Sequence, residues 1–118
     1  MKPRSDEQLL QAWSKDRCEE SFRALADRYA DLVYGTAARR MADRHQAEEV
    51  GQNVFITLAK KEGRLKGENG IGGWLFKATV LEAAGFRRSK SRRDQRMREL
   101  NELEEALRRV GGEAMAGS

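Results

Sequence analysis

The sequence predicts an all-α fold: a compact helical bundle of three long helices behind a short N-terminal one. Three observations carry that expectation. The single proline is Pro3, so nothing later in the 118 residues forbids a long helix. Ala, Leu, Glu, Arg and Lys are abundant and β-branched residues scarce, a balance that favours helix. Apolar residues recur at steps of three and four, as a stripe along one helix face requires.

Ser5-Asp6-Glu7-Gln8 reads as a helix start, with Ser5 as the cap and acids or amides in the first turn. Leu9, Leu10 and Trp13 follow as a short apolar face, and Lys15-Asp16-Arg17 reads as a turn. Residues 21–41 form the first long helix, with Phe22, Leu25, Tyr29, Leu32, Val33, Thr36 and Ala37 as its stripe. Asp43 caps the next helix, which runs to about Lys61 with the stripe Ala47, Val50, Gly51, Val54, Phe55 and Leu58. A glycine in mid-helix costs about 1 kcal/mol relative to alanine, so Gly51 points to a close helix crossing. Residues 62–73 contain five glycines in twelve positions and read as a loop. No Gly-Lys-Ser/Thr ending follows, so it is not a phosphate-binding P-loop. The third long helix spans 74–97. Trp74, Ala78, Leu81 and Gly85 lie along one side of it, and Leu75, Thr79 and Glu82 along the adjacent side. Leu100, Leu103, Ala106, Leu107 and Val110 keep helical spacing until Gly111-Gly112 stops the pattern, and residues 113–118, with nothing to bury, are expected to be a disordered tail.

Hydrophobic residues make up 39% and charged residues 36% of the chain, so the core must come from narrow stripes. Net charge is only +4, but it is uneven. From Arg87 to Arg98 seven residues are basic (Arg87, Arg88, Lys90, Arg92, Arg93, Arg96, Arg98) against one acid, Asp94; Glu99, Glu102, Glu104 and Glu105 follow directly. A basic stretch of that density is the footprint of a polyanion, most often nucleic acid. One cysteine, Cys18, allows no internal disulfide, fits a half-buried packing role and suggests a reducing cytoplasm. With one Cys and one His (His45) there is no thiol–imidazole pair and no Cys/His zinc set. Neither an enzyme, a metal site nor a cofactor is expected. No apolar run approaches membrane-spanning length, and Met1-Lys2-Pro3-Arg4 is followed by a polar segment rather than a signal peptide.

Three patterns occur in order: Phe22-x-x-Leu25-x-x-x-Tyr29-x-x-x-Val33-Tyr34, then DRHQAEEVGQNVFITL over residues 43–58, then Gly73-Trp74-Leu75-Phe76-Lys77 ahead of the arginine-rich run. Together they resemble region 2 of the sigma-70 superfamily, specifically its extracytoplasmic-function (group IV) bacterial sigma factors, over about residues 5–98. The resemblance implies a transcription initiation factor that binds core RNA polymerase, reads the −10 promoter element and helps to open it. It implies that the helix beginning at Ala47 docks on the β′ clamp helices, with Asp43, Glu48, Glu49, Gln52 and Asn53 on the docking face. An acidic and amide face suits basic side chains on a partner helix. It further implies that the glycine-rich segment captures a flipped base of the non-template strand, with Asn69 on a base edge and Arg64 and Lys66 on phosphates. The Trp74-led helix would contact the promoter, Trp74 serving as core anchor or stacking residue. Lys77, Arg87, Arg88, Lys90, Arg92 and Arg93 would hold phosphates, for which charge and reach suffice.

The domain reading is thus a region 2-like helical domain at 1–98, a helical extension or linker start at 99–112, and a tail at 113–118. Leu81 and Gly85 stand where many family members carry Asn and Asp, and no region 4-like helix-turn-helix follows. Two rivals therefore stand beside a DNA-reading factor: a sigma-like module that binds polymerase or an anti-sigma factor with weakened DNA readout, and a nonspecific nucleic-acid-binding bundle. The expected location is the cytoplasm.

Overall fold

The computed structural model describes residues 3–61 and 70–116. Its elements, in chain order, are α1 (Asp6–Asp16), α2 (Glu19–Ala38), α3 (Arg44–Ala59) and α4 (Gly70–Ala116). The chain divides into two units, Met1–Gly85 and Phe86–Ser118.

The first unit is built as its caps and stripes dictate. Ser5 Oγ accepts from the Gln8 backbone N–H at 3.2 Å, and Gln8 Oε1 accepts from the Ser5 N–H at 2.8 Å. This reciprocal pair satisfies two donors that the first turn of α1 would otherwise leave open. Of the expected turn Lys15-Asp16-Arg17, Arg17 alone lies outside α1, in the left-handed conformation (φ 51°, ψ 40°), while Lys15 and Asp16 stay helical. α2 begins at Glu19, two residues before the expected start, with Glu19 and Glu20 in its positive first turn. It ends at Ala38 rather than Met41. Asp43 caps α3 by accepting from the Gln46 N–H at 2.8 Å.

The core gathers Leu9 and Leu10 of α1, Leu25 and Val33 of α2, Val54, Phe55 and Leu58 of α3, and Ile71 and Leu75 of α4. All six residues of the α3 stripe are buried. Gly51 is the crossing point with α2: a Cβ there would lie 2.2–2.9 Å from the Tyr34 ring. Side-chain bonds tie the elements together. Trp13 Nε1 donates to the Ala59 carbonyl at 2.9 Å, near the C-terminal end of α3. Asp6 accepts from Arg28 at 2.6 Å and from the Tyr29 hydroxyl, joining α1 to α2.

α4 departs most from the sequence reading. It starts at Gly70, four residues before Trp74, so Gly72 and Gly73 are helical rather than loop. The reason is Ile71, 5% exposed, which joins the core one turn ahead of Leu75. Gly72 permits that approach, since a Cβ on it would sit 3.1 Å from Tyr29 Cε1. The fully hidden line is Ile71, Leu75, Thr79 and Ala83. Trp74 and Ala78 are half-buried against the core, whereas Leu81, expected on their side, is 61% exposed. The side centred on Leu75 and Thr79 won the core, which turns Leu81 out to solvent.

In the second unit every residue from Arg87 to Gly111 is exposed. The helix passes through Gly111-Gly112 and continues to Ala116, beyond the stop placed there from sequence and into the segment expected to be disordered. A glycine ends a helix when it adopts the left-handed conformation, and Gly111 is not among the residues with positive φ. Among the described residues no helix is long and apolar enough to cross a membrane.

Candidate partner and nucleic-acid interfaces

Burying Ala47, Val50, Val54 and Leu58 fixes what α3 shows to solvent. His45, Glu48, Glu49, Gln52 and Ile56 are exposed at steps of three and four, so they form one outward stripe. Asp43 is exposed at its N-terminal end. Glu48 is partly held by Arg44, whose Nε lies 3.3 Å from its carboxylate. Gln52 lies at the meeting of three shallow grooves. The largest, about 610 Å³, runs between the end of α2 and the start of α3 and includes Tyr34, Met41 and Glu48. Burial, and secondarily the Glu48 charge, raise the Tyr34 hydroxyl above its ordinary pKa.

One predicted member of the stripe does not join it. Asn53 is half-buried, and its Nδ2 donates to Glu82 of α4 at 3.2 Å. It braces two helices. Ile56, in contrast, went unnoticed in the sequence: it is 51% exposed, in line with Gln52 and Glu49. Its signal was an apolar residue just off a stripe already complete with Phe55.

Arg64, Lys66 and Asn69 lie outside the described residues. Trp74 packs partly against the core, and Lys61 Nζ sits 5.8 Å from the centre of its ring. That geometry is an anchor with a cation on its open face. Lys77 is exposed.

Arg87, Arg88, Lys90, Arg92 and Arg93 are exposed in the second unit, and none is ion-paired among the described residues. Helical register distributes them around the axis rather than on one stripe. The continuous line is Arg88, Arg92 and Arg96, spaced by four. Arg96 was part of the basic run in sequence but not among the phosphate contacts; register is what adds it.

Cys18 is half-buried at the start of α2, and Ser21 Oγ lies 3.1 Å from its sulfur while accepting from Arg4 at 3.1 Å. The Ser21 hydroxyl and backbone lower the thiol below its ordinary pKa. Among the described residues no group of acidic, His and Cys side chains could hold a metal ion.

The exposed features are thus an acidic and amide stripe on α3 and a basic run on α4, both carried by an all-helical chain. The chain matches Sigma-70 region 2 over residues 25–93, more than half of its length, and belongs to that family. Region 2 of sigma factors binds core RNA polymerase and promoter DNA in transcription initiation. No curated protein and no solved structure matches the chain.

Proposed function

We propose that this chain is region 2 of a group IV sigma factor, which docks on the β′ clamp helices through α3 and holds the opened −10 element through α4 and the segment before it. The observation that carries the docking half is the α3 stripe: Glu48, Glu49, Gln52 and Ile56 are outward while Ala47, Val50, Gly51, Val54, Phe55 and Leu58 are committed to the core. An apolar residue at the end of an acidic and amide stripe offers a partner contact area beside charge recognition. Asp43 extends the stripe at its capped end. The same face is the one an anti-sigma factor would compete for. Working with core polymerase places the module in the cytoplasm.

For DNA, the bare cations at Lys77, Arg87, Arg88, Lys90, Arg92 and Arg93 would neutralise phosphates of the non-template strand. Arg64, Lys66 and Asn69 are assigned to the captured base and its neighbours. Trp74 serves this reading as the anchor that sets the start of α4. The test is fluorescence anisotropy with single-stranded −10-like DNA, alone and with core polymerase, across a salt series. Binding that steepens with polymerase present and weakens on Arg87→Ala/Arg88→Ala/Arg92→Ala/Arg93→Ala supports the reading. An unchanged salt slope in that variant would sink the phosphate assignment.

A second reading, a polymerase- or anti-sigma-binding module with weakened DNA readout, is favoured by one observation. Leu81, which stands where many relatives carry Asn, is solvent-exposed and offers no polar group to a base edge. Polymerase binding without sequence preference among −10-like strands would select it.

A further inference from the structure

Five of the eight large hydrophobic residues exposed among the described residues fall in the second unit: Met97, Leu100, Leu103, Leu107 and Val110. The last four are 49–63% exposed and spaced by three, four and three, which is the a/d seam of a coiled coil. Nothing in this unit covers them, since every residue from Arg87 to Gly111 is exposed. A helix of this kind draws most of its stability from packing an apolar face against something.

The charge pattern identifies what fits. We infer that a second copy of this chain packs on residues 100–110 in antiparallel orientation, forming a short two-helix coiled coil. The 3-4-3 spacing reads the same in both directions. A two-fold axis near residue 105 therefore sets Leu100 against Val110 of the partner subunit and Leu103 against Leu107 of the partner subunit, each layer occurring twice. Such a face is self-complementary, as a two-fold interface demands. The flanking charges follow the same symmetry. Antiparallel packing sets Glu99 and Glu102 level with Arg109 and Arg108 of the partner subunit, while Glu104 comes near its own copy at the axis, where Arg108 of each chain offsets the two carboxylates. Within one chain Arg108 already reaches Glu104 at 3.6 Å, an exposed pair that a neighbouring helix can share. Parallel packing does the reverse. It lays the run from Arg87 to Arg98 beside its own copy and sets Glu99 opposite Glu104 of the partner subunit, like charge against like. The antiparallel arrangement leaves the two basic runs at opposite ends, free for a polyanion.

Sedimentation equilibrium of the full chain from about 1 µM to about 1 mM tests this, because a four-layer seam should give a dimer that dissociates within that range. Leu103→Lys/Leu107→Lys should weaken the dimer at least about tenfold. Trp13 and Trp74, both in the first unit, report by their fluorescence that its fold is intact. Orientation is read by disulfide trapping in a Cys18→Ser background. A mixture of Leu100→Cys and Val110→Cys chains should cross-link, and Leu100→Cys alone should not. A chain that stays monomeric throughout overturns the inference and leaves the seam to a different protein. So does a Lys variant that dimerises as well as the parent, or Leu100→Cys linking to itself as readily as the mixture.

Discussion

At Gly51 a hydrogen atom stands where any other residue has a carbon, and the Tyr34 ring occupies the space. Tyr34 in turn packs on Phe55, with ring centres 6.0 Å apart and planes tilted by 42°. Gly51→Ala gains about 1 kcal/mol of helix propensity but must displace that ring, and overpacking of this kind costs about 1–3 kcal/mol. The expected outcome is a net loss of about 1 kcal/mol in urea unfolding, because the aromatic contact goes with the displacement. Tyr34 also borders the largest groove beside Gln52, so the same variant should weaken polymerase binding. In a Tyr34→Ala background the same Gly51→Ala change should no longer destabilise, a coupling that a double-mutant cycle measures.

α3 divides its residues by face, and that division separates binding from stability. Gln52 and Asn53 are neighbours in sequence, yet Gln52 is exposed and Asn53 donates to Glu82. Asn53→Ala should lower stability by about 1 kcal/mol, the net worth of a typical hydrogen bond. It should leave polymerase affinity unchanged once the protein is folded. Gln52→Ala, and more so Glu48→Arg/Glu49→Arg, should do the opposite, with unaltered thermal melting and weaker retention on core polymerase. On α4 the Arg88, Arg92 and Arg96 line makes a prediction of its own. If these three hold single-strand phosphates, Arg88→Ala/Arg92→Ala/Arg96→Ala should reduce the slope of log K against log salt by about 2, at roughly 0.7 per contact. Removing three arginines spread around the axis, such as Arg87, Arg92 and Arg93, should reduce it less.

The first unit is stitched along its length: Asp6 to Arg28 and Tyr29, Trp13 to Ala59, Asn53 to Glu82. The Asp6 junction sets the response to alkali. Tyr29 has its pKa raised, chiefly because its hydroxyl donates to Asp6, with burial adding to the effect. The folded value thus lies above the unfolded one. The stabilisation is whole below the unfolded value near 10 and is lost as pH rises through the folded value. Stability of the parent should fall above about pH 10, and Tyr29→Phe should be less stable at neutral pH but flatter across that window, as followed by chemical denaturation at each pH. Much of this unit was legible in the chain. Ser5 and Asp43 are caps whose partners lie three residues away, and the α3 stripe needed only the helical period to be read. α4 was less legible, because the glycines at 70, 72 and 73 look like loop until Ile71 is seen to enter a core supplied by α1, α2 and α3. The acidic stripe and the basic run could be read as residue types, but membership could not: Asn53 turned inward, Ile56 outward, and Arg96 joined a line that only register reveals.

By itself the sequence determined the helical class, the caps, the apolar stripes of α2 and α3 and the motifs that mark region 2, because each depends on residues within a few turns of one another. The tertiary structure alone decided where α4 begins, which of its sides is hidden, and why Leu81 is exposed and Asn53 is not. Those outcomes depend on which neighbours from elsewhere in the chain compete for the same space, and a one-dimensional pattern does not record that competition.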